Sequence, residues 1–227
     1  MQRLIVTVDG PAGSGKSTVA RRLAKRLEVE FLNTGAMYRG LTAHAIDRGI
    51  DLSHEAHAVV ELAQRQEMCF NWQTDPPRLM VGGVDVTNRL SDSDVTSQVS
   101  DVAALKQVRQ VLVEAQRRIG EEHPRLVTEG RDQGSVVFPQ AAVKFFLDAS
   151  LAVRAQRRYD QIYEMGHLAN LEHIRQSLLS RDHRDLDRAD GPLICPVDAA
   201  RIDTTEMTLD QVVNLLESKV QQVVSQC

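Results

Sequence analysis

Gly10, Gly13 and Gly15 stand just ahead of Lys16-Ser17 in the stretch VDGPAGSGKST (8–18). The run Gly10-Pro11-Ala12-Gly13-Ser14-Gly15-Lys16-Ser17 fits the pattern G-x-x-x-x-G-K-[ST]. Such a loop turns successive backbone N–H groups inward around an anion, a shape that residues bearing a Cβ resist. A helix starting at the lysine adds unpaired N–H groups and the positive end of its dipole. The predicted chemistry is phosphate binding. Residues Gly10 to Thr18 would cradle a nucleoside triphosphate, Lys16 would bridge its β- and γ-phosphates, and the Ser17 hydroxyl would hold Mg2+.

The rest of the chain narrows the class of reaction. A regulatory GTPase needs a guanine-reading [NT]-K-x-D segment, and Lys16, Lys25, Lys106, Lys144 and Lys219, the only lysines, lie in no such context. Remodelling ATPases are usually much larger chains with an acidic dyad ending an apolar strand. A compact kinase instead needs a second, anionic acceptor facing the γ-phosphate, and three Arg-bearing segments suit one. NTGAMYRG (33–40) carries Thr34, Tyr38 and Arg39, and EGRDQGSVVFP (129–139) carries Arg131 and Asp132. In RDHRDLDR (181–188), Arg181, Asp185 and Arg188 recur at helical spacing. Guanidiniums converging where parallel strands end suit a phosphate monoester, and neighbouring carboxylates suit sugar hydroxyls or a base amino group. Taken alone, 181–188 reads as a solvated salt-bridge helix.

The elements that must position these groups follow from apolar periodicity. LIVTV (4–8) reads as a buried parallel strand, and Val19, Ala20, Leu23, Ala24 and Leu27 mark the inner face of the helix after the glycine loop. VEFL (29–32), RLVTEG (125–130), VKFFLDA (143–149) and ARID (200–203) read as further strands. A helix runs from the NTG turn through Ala45, another from Val102 to Ile119 with Ser100 and Asp101 at its N-cap, and a last one after Thr208 as N-cap. Residues 150–190 read as Arg-rich helix and loop. The rhythm changes near position 68, where Asp75-Pro76-Pro77 and Gly82-Gly83 punctuate short β-like runs. These signals predict an α/β core over 1–57 and 101–227, interrupted by an inserted subdomain over 58–100.

Composition adds limits. The 227 residues are 42% hydrophobic and 26% charged with net charge −4, so no global charge signal points to nucleic acid or a membrane. Lysines are few among 27 basic residues, and the Arg bias suits bidentate phosphate binding as well as a mere compositional preference. Cys69, Cys195 and Cys227 have no metal-ligand spacing, which together with the lack of a signal-like or membrane-length apolar run predicts a cytoplasmic protein.

Five segments, VDGPAGSGKST, NTGAMYRG, EGRDQGSVVFP, RDHRDLDRADGPL and DAARIDTT, occur in the order and at the spacing of bacterial cytidylate kinases. The chain resembles that family over essentially its whole length. The resemblance implies a P-loop NTPase fold, α/β, with a central parallel sheet flanked by helices and a small β-containing insert that binds the nucleoside monophosphate. It implies ATP-dependent phosphorylation of CMP and dCMP to CDP and dCDP, with ATP and Mg2+ as cofactors. By the same resemblance Lys16, Arg39 and Arg131 are catalytic, with Arg39 and Arg131 gripping the acceptor phosphate. Ser100, Arg109 and Asp132 would contact cytosine, helped by Arg188, and Arg181 and Asp185 would lie near the sugar, with Thr34 and Tyr38 in the same acceptor site. Arg154, Arg157 and Arg158 open a segment near 154–170 that resembles the family's short lid, where they would close over the phosphates or else line an exposed helix face, and Arg157 is assigned to ATP.

Two positions depart from the family pattern: Asn33 stands where Asp is usual, and Ser91 in LSDSDV (90–95) where Arg is usual, with Arg89 nearby either substituting for it or not. CMP and dCMP are the expected partners, with no nucleic acid or membrane and a monomeric state. A shikimate-type kinase and a nucleotide-dependent binding protein without efficient acceptor turnover stay open as alternatives.

Overall fold

A computed structural model describes residues 3–164 and 166–225; Cys227 and position 165 of the 154–170 segment lie outside them. In chain order the elements begin with β1 (Leu4–Asp9), α1 (Lys16–Leu27), β2 (Glu30–Asn33), α2 (Thr34–Asp47) and α3 (Ala56–Arg65). There follow β3 (Met68–Asn71), β4 (Arg78–Val81), β5 (Val84–Asp85), α4 (Ser93–Ala104) and α5 (Lys106–Glu122). The chain continues with β6 (Arg125–Gly130), β7 (Val143–Asp148), α6 (Leu151–Glu164), α7 (Leu171–Leu186), β8 (Ala200–Asp203) and α8 (Leu209–Val224). They form two compact units, Met1–Leu32 with Pro124–Cys227, and Asn33–His123.

The first unit is built on a five-stranded sheet of order β2-β6-β1-β7-β8. β1 runs parallel to β6 and to β7, and β7 parallel to β8. β1 is buried along its whole length, as a central parallel strand covered on both faces must be. One core cluster joins Val6, Val8, Phe145 and Leu147 of the sheet to Val19 and Leu23 of α1 and to Val213, Leu216 and Val220 of α8. The apolar face of α1 is the one its periodicity predicts. The register sets Val8 opposite Glu129 and Asp9 opposite Gly130, so the chain leaves β1 and β6 at the same sheet edge. A parallel sheet thereby places two loops side by side that are more than a hundred residues apart in sequence.

The second unit holds a three-stranded antiparallel sheet, β3-β4-β5, with α2 packed on β4 and against α4, and α3 against α5. It is broader than the 58–100 segment marked by the change of rhythm, because α2 and α5 cluster with the small sheet. The helix expected over 102–119 is two helices: Leu105 is extended, with φ −70° and ψ 111°, and separates α4 from α5. Ser100 and Asp101 therefore lie inside the last turns of α4, which corrects the N-cap reading. Val95, Val99 and Val102 form the buried stripe of α4 at helical spacing, a signal masked by the Ser/Asp/Thr-rich residues between them. Among the described residues no helix is long and apolar enough to cross a membrane.

Thr208 caps α8 as expected, and more fully: Thr208 Oγ1 accepts from the Gln211 N–H, and Gln211 Oε1 accepts from the Thr208 N–H at 2.8 Å. Thr208→Ala should lower stability by about 1 kcal/mol, read as a lower urea midpoint at unchanged m-value, while Thr208→Ser keeps the midpoint near that of the original chain.

Candidate active site

The glycine loop bridges β1 and α1. Gly10, at φ 147°, lies so close to β7 that a Cβ there would come within 2.0 Å of the Leu147 carbonyl oxygen, so the loop's entry admits only glycine. Gly15 closes the loop as the N-cap of α1 in the left-handed conformation, φ 89°. Ser14 Oγ is buried in the loop with no hydrogen-bond partner among the described residues, as suits a cradle lined with donors. Lys16 is buried, and its Nζ donates to the Pro11 carbonyl at 2.7 Å, folding the side chain back along the loop.

Burial and the nearby Arg131 lower the Lys16 ammonium from its ordinary value to about 7, against the opposing pull of Glu129. Ser17 Oγ donates to Glu129 Oε1 at 2.8 Å. A hydroxyl and a carboxylate are hard oxygen donors of the kind Mg2+ takes alongside phosphate oxygens. Among the described residues no group of three or more His, Cys, Asp or Glu side chains could hold an ion by itself. The chemistry of the pair thus fits Mg2+ at the place expected for Ser17. Glu129 was not singled out for a role from sequence, although it opens the EGRD segment; its partnership with Ser17 depends on the pairing of β6 with β1.

Arg131 and Asp132 follow β6 directly. Arg131 Nε donates to Asp185 Oδ2 at 2.7 Å, and Asp185 also pairs with Arg188. Burial works against both charges in the Arg131–Asp185 pair, but their attraction outweighs it. Asp185 is held below the usual carboxylate range by Arg131 and Arg188, and Arg131 above its ordinary value by Asp185. Arg181 and Asp185 lie on α7, whereas Arg188 lies just beyond its end and reaches back to Asp185, so the three do not all sit on one helical face. The segment 181–188 is accordingly more than a solvated helix face: Asp182 and Asp185 are both buried.

Asp9, the last residue of β1, anchors the Arg131 segment from below. Its Oδ1 accepts from the Gln133 N–H at 2.9 Å and its Oδ2 from the Gly134 N–H at 2.7 Å. Burial raises its carboxyl from the ordinary value to about 7, against these two hydrogen bonds. The arginines expected ahead of the lid separate. Arg154 is buried and turned inward, Arg157 donates to the Thr204 carbonyl at 2.7 Å, and Arg158 pairs with Gln161 on its own helix.

In the second unit Thr34 opens α2, which carries Tyr38 and Arg39 on its next turn. Asn33 caps this helix, its side chain accepting from the Ala36 N–H at 2.9 Å, a task that Asn and Asp perform equally well. Arg39 lies back over Gly35, within 3.2 Å of where a Cβ would stand. Arg109, buried on α5, donates through Nη1 to Tyr38 Oη at 3.4 Å, so those two expected acceptor residues meet. Ser100 sits on α4. Arg89 is held by Asp47, Asp92 and Asp94, so it braces α2 to the start of α4.

Comparison with known proteins bears on this arrangement. The family model for cytidylate kinase matches residues 6–222. The chain is 42% identical over 219 residues to a cytidylate kinase of Azotobacter vinelandii, covering 96% of this chain and 95% of the relative. It is 43% identical over 218 residues to one of Corynebacterium diphtheriae, covering 96% and 94%. Among solved structures, an uncharacterized protein from Eubacterium ventriosum matches with a TM-score of 0.55 at 9% identity, covering 96% of this chain and 99% of that one, a likeness of fold alone. The family match runs from within β1 to within α8 and takes in the glycine loop, the Arg131 segment and α7 together. The chain belongs to the cytidylate kinase family.

Proposed function

We propose that this chain transfers the γ-phosphoryl group of ATP to CMP or dCMP, giving ADP and CDP or dCDP. The observation that carries the reading is the cytidylate kinase match over residues 6–222, which contains every residue assigned a role here. An oxygen of the acceptor phosphate attacks the γ-phosphorus as the bond to the β,γ-bridging oxygen breaks, with no covalent enzyme intermediate. The attacking atom is already an anionic oxygen, so no side chain has to remove a proton from it. Catalysis is then positioning and charge stabilisation around a loose transition state.

The loop from Gly10 to Thr18 holds the ATP phosphates, Lys16 neutralises charge between the β- and γ-groups, and Arg157 is assigned to the donor side. Ser17, with Glu129 beside it, would hold Mg2+, which when bound supplies charge neutralisation across the β- and γ-phosphates. In the first unit Arg131 is assigned to the acceptor phosphate, Arg181 and Asp185 to the sugar, and Asp132 and Arg188 to cytosine. In the second, Arg39 is assigned to phosphate, Ser100 and Arg109 to cytosine, and Thr34 and Tyr38 to the acceptor nucleotide. A carboxylate accepting from the exocyclic amino group would reject uracil, which presents a carbonyl there and leaves the carboxylate unpaired. A cytoplasmic, monomeric enzyme acting on free nucleotides is the accompanying reading.

The test is ADP release from ATP and Mg2+ with CMP, dCMP, UMP, AMP, GMP and shikimate, each supplied alone. CMP and dCMP should exceed the others in kcat/KM by on the order of a hundredfold or more. Lys16→Ala and Arg131→Ala should each cost on the order of a hundredfold in turnover at unchanged fold. ATP binding without turnover of any acceptor would favour the binding-protein reading instead, and preference for shikimate would overturn the nucleotide acceptor.

Proton linkage supplies a second prediction. With Lys16 near pKa 7 before binding and held charged by phosphate afterwards, binding at pH 8 should take up most of a proton on this group. The uptake should fade as the pH drops below 7, where Lys16 is already charged. Calorimetry of MgATP binding in buffers of different ionisation enthalpy reads it directly, and Lys16→Arg should remove it. Uptake at pH 8 no larger than at pH 6 would show that Lys16 is charged throughout.

A further inference from the structure

Arg154 stands near the start of α6, among the arginines expected to face ATP across a lid, yet its side chain is only 8% exposed. Nη1 donates to Asp182 Oδ2 at 2.6 Å and to the Ala12 carbonyl at 3.0 Å, and Nε donates to the Ala149 carbonyl at 2.9 Å. Ala12 lies in the middle of the glycine loop. Its carbonyl shares a planar trans peptide with the Gly13 N–H, and the two groups point in opposite directions. A guanidinium that grips this carbonyl from α6 therefore fixes the aim of the Gly13 N–H. Contact with the backbone reinforces the grip, since a Cβ on Gly13 would lie 3.2 Å from Arg154 Cβ and 3.3 Å from its carbonyl oxygen.

The other end of the pair is equally specific. Asp182 and Asp185 are three residues apart on α7 and both buried. Asp182 takes Arg154, while Asp185 takes Arg131 and Arg188. One turn of α7 thus holds the glycine loop through one carboxylate and the Arg131 segment through the next. A buried ion pair is a poor way to gain stability, because well-packed apolar side chains of similar volume usually do as well. A pair that spends a hydrogen bond on a loop carbonyl fits a demand for geometry better than a demand for stability.

We propose that Arg154 and Asp182 are positioning residues that tie the ATP loop to the helix holding Arg131, so that the Gly13 N–H and the Arg131 guanidinium are set together. Arg154 is then a brace behind the loop and touches neither nucleotide. The proposal rests on the reading of the chain as an ATP-dependent CMP kinase, and its test separates the two.

Four variants decide it: Arg154→Met, Arg154→Lys, Asp182→Asn, and the double variant Arg154→Met with Asp182→Leu. Each is assayed well below its own melting temperature for kcat and for both KM values, and titrated calorimetrically with ATP and with CMP. Arg154→Met should raise the KM and Kd for ATP about tenfold, the size expected when one hydrogen bond to a charged group is lost. It should raise those for CMP about threefold, a coupling carried through α7. Arg154→Lys and Asp182→Asn should fall between Arg154→Met and the original chain.

The double variant leaves no unpaired buried charge, so its melting temperature should return toward the original while both KM values stay high. It also keeps the test open should a single variant fail to fold. Constants at the original level in the folded double variant would reduce the pair to fold support and overturn the proposal. A raised constant for ATP with CMP unaffected would overturn the link to Arg131. If the original chain failed to turn over CMP, the kinase reading would fall on its own, and the calorimetric constants would still decide whether the pair positions the loop.

Discussion

Cations gathered at the end of a parallel sheet repel one another, and the first unit is organised around containing that repulsion. Lys16, Arg131, Arg154, Arg181 and Arg188 are drawn from the end of the glycine loop, the β6 exit, α6, α7 and the turn just after α7. Each of Asp182, Asp185 and Glu129 is placed among them, the first two buried against arginines that are themselves buried or half-buried. Surrounded by low-dielectric protein, such pairs are far stronger than on the surface, and a missing partner would leave a costly unpaired charge. The carboxylates therefore act as rigid mounts. They fix the direction in which each guanidinium presents its remaining donors, which in the proposed reaction would aim them in advance at a phosphate.

This arrangement is possible only because of the sheet register. With Asp9 paired to Gly130, the backbone after β1 and the backbone after β6 emerge together. Asp9 uses both carboxylate oxygens to hold the N–H groups of Gln133 and Gly134, which locks the segment after Arg131 onto the strand that feeds the glycine loop. Open parallel sheets bind ligands at such strand ends because the loops there converge without competing for hydrogen bonds with the sheet itself. Asp9 and the Arg154–Asp182 pair thus grip this region from two directions, one through the strand and one through the helices.

Much of this was legible in the chain. The glycine loop and its lysine follow a pattern whose every position has a local cause, and the strand before it and helix after it can be read from a few residues. Thr208 likewise announces its helix through Gln211. The α4–α5 break was not legible, because Leu105 is an ordinary helix former and nothing in its own type signals a break. Nor were the charge partners. In RDHRDLDR, Asp182 and Asp185 look no different from Asp187, and which of them is buried depends on α6 and the β6 exit arriving from elsewhere. Sequence spacing identifies groups on one element; ion pairs between elements depend on register and docking that no short window contains. Glu129 shows the same limit, since it is two residues from Arg131 yet works through Ser17.

The scarcity of lysine then acquires a physical meaning beyond composition. A guanidinium stays charged however deeply it is buried, so Arg131 and Arg154 can serve as permanent parts of the scaffold. An ammonium responds to burial, and Lys16 is drawn down to about 7 by desolvation and by Arg131. It is thus the member of the cluster whose charge depends on what lies before it. A bound phosphate would restore that charge, since it opposes both the burial that chiefly draws the Lys16 proton off and the neighbouring Arg131 that adds to it.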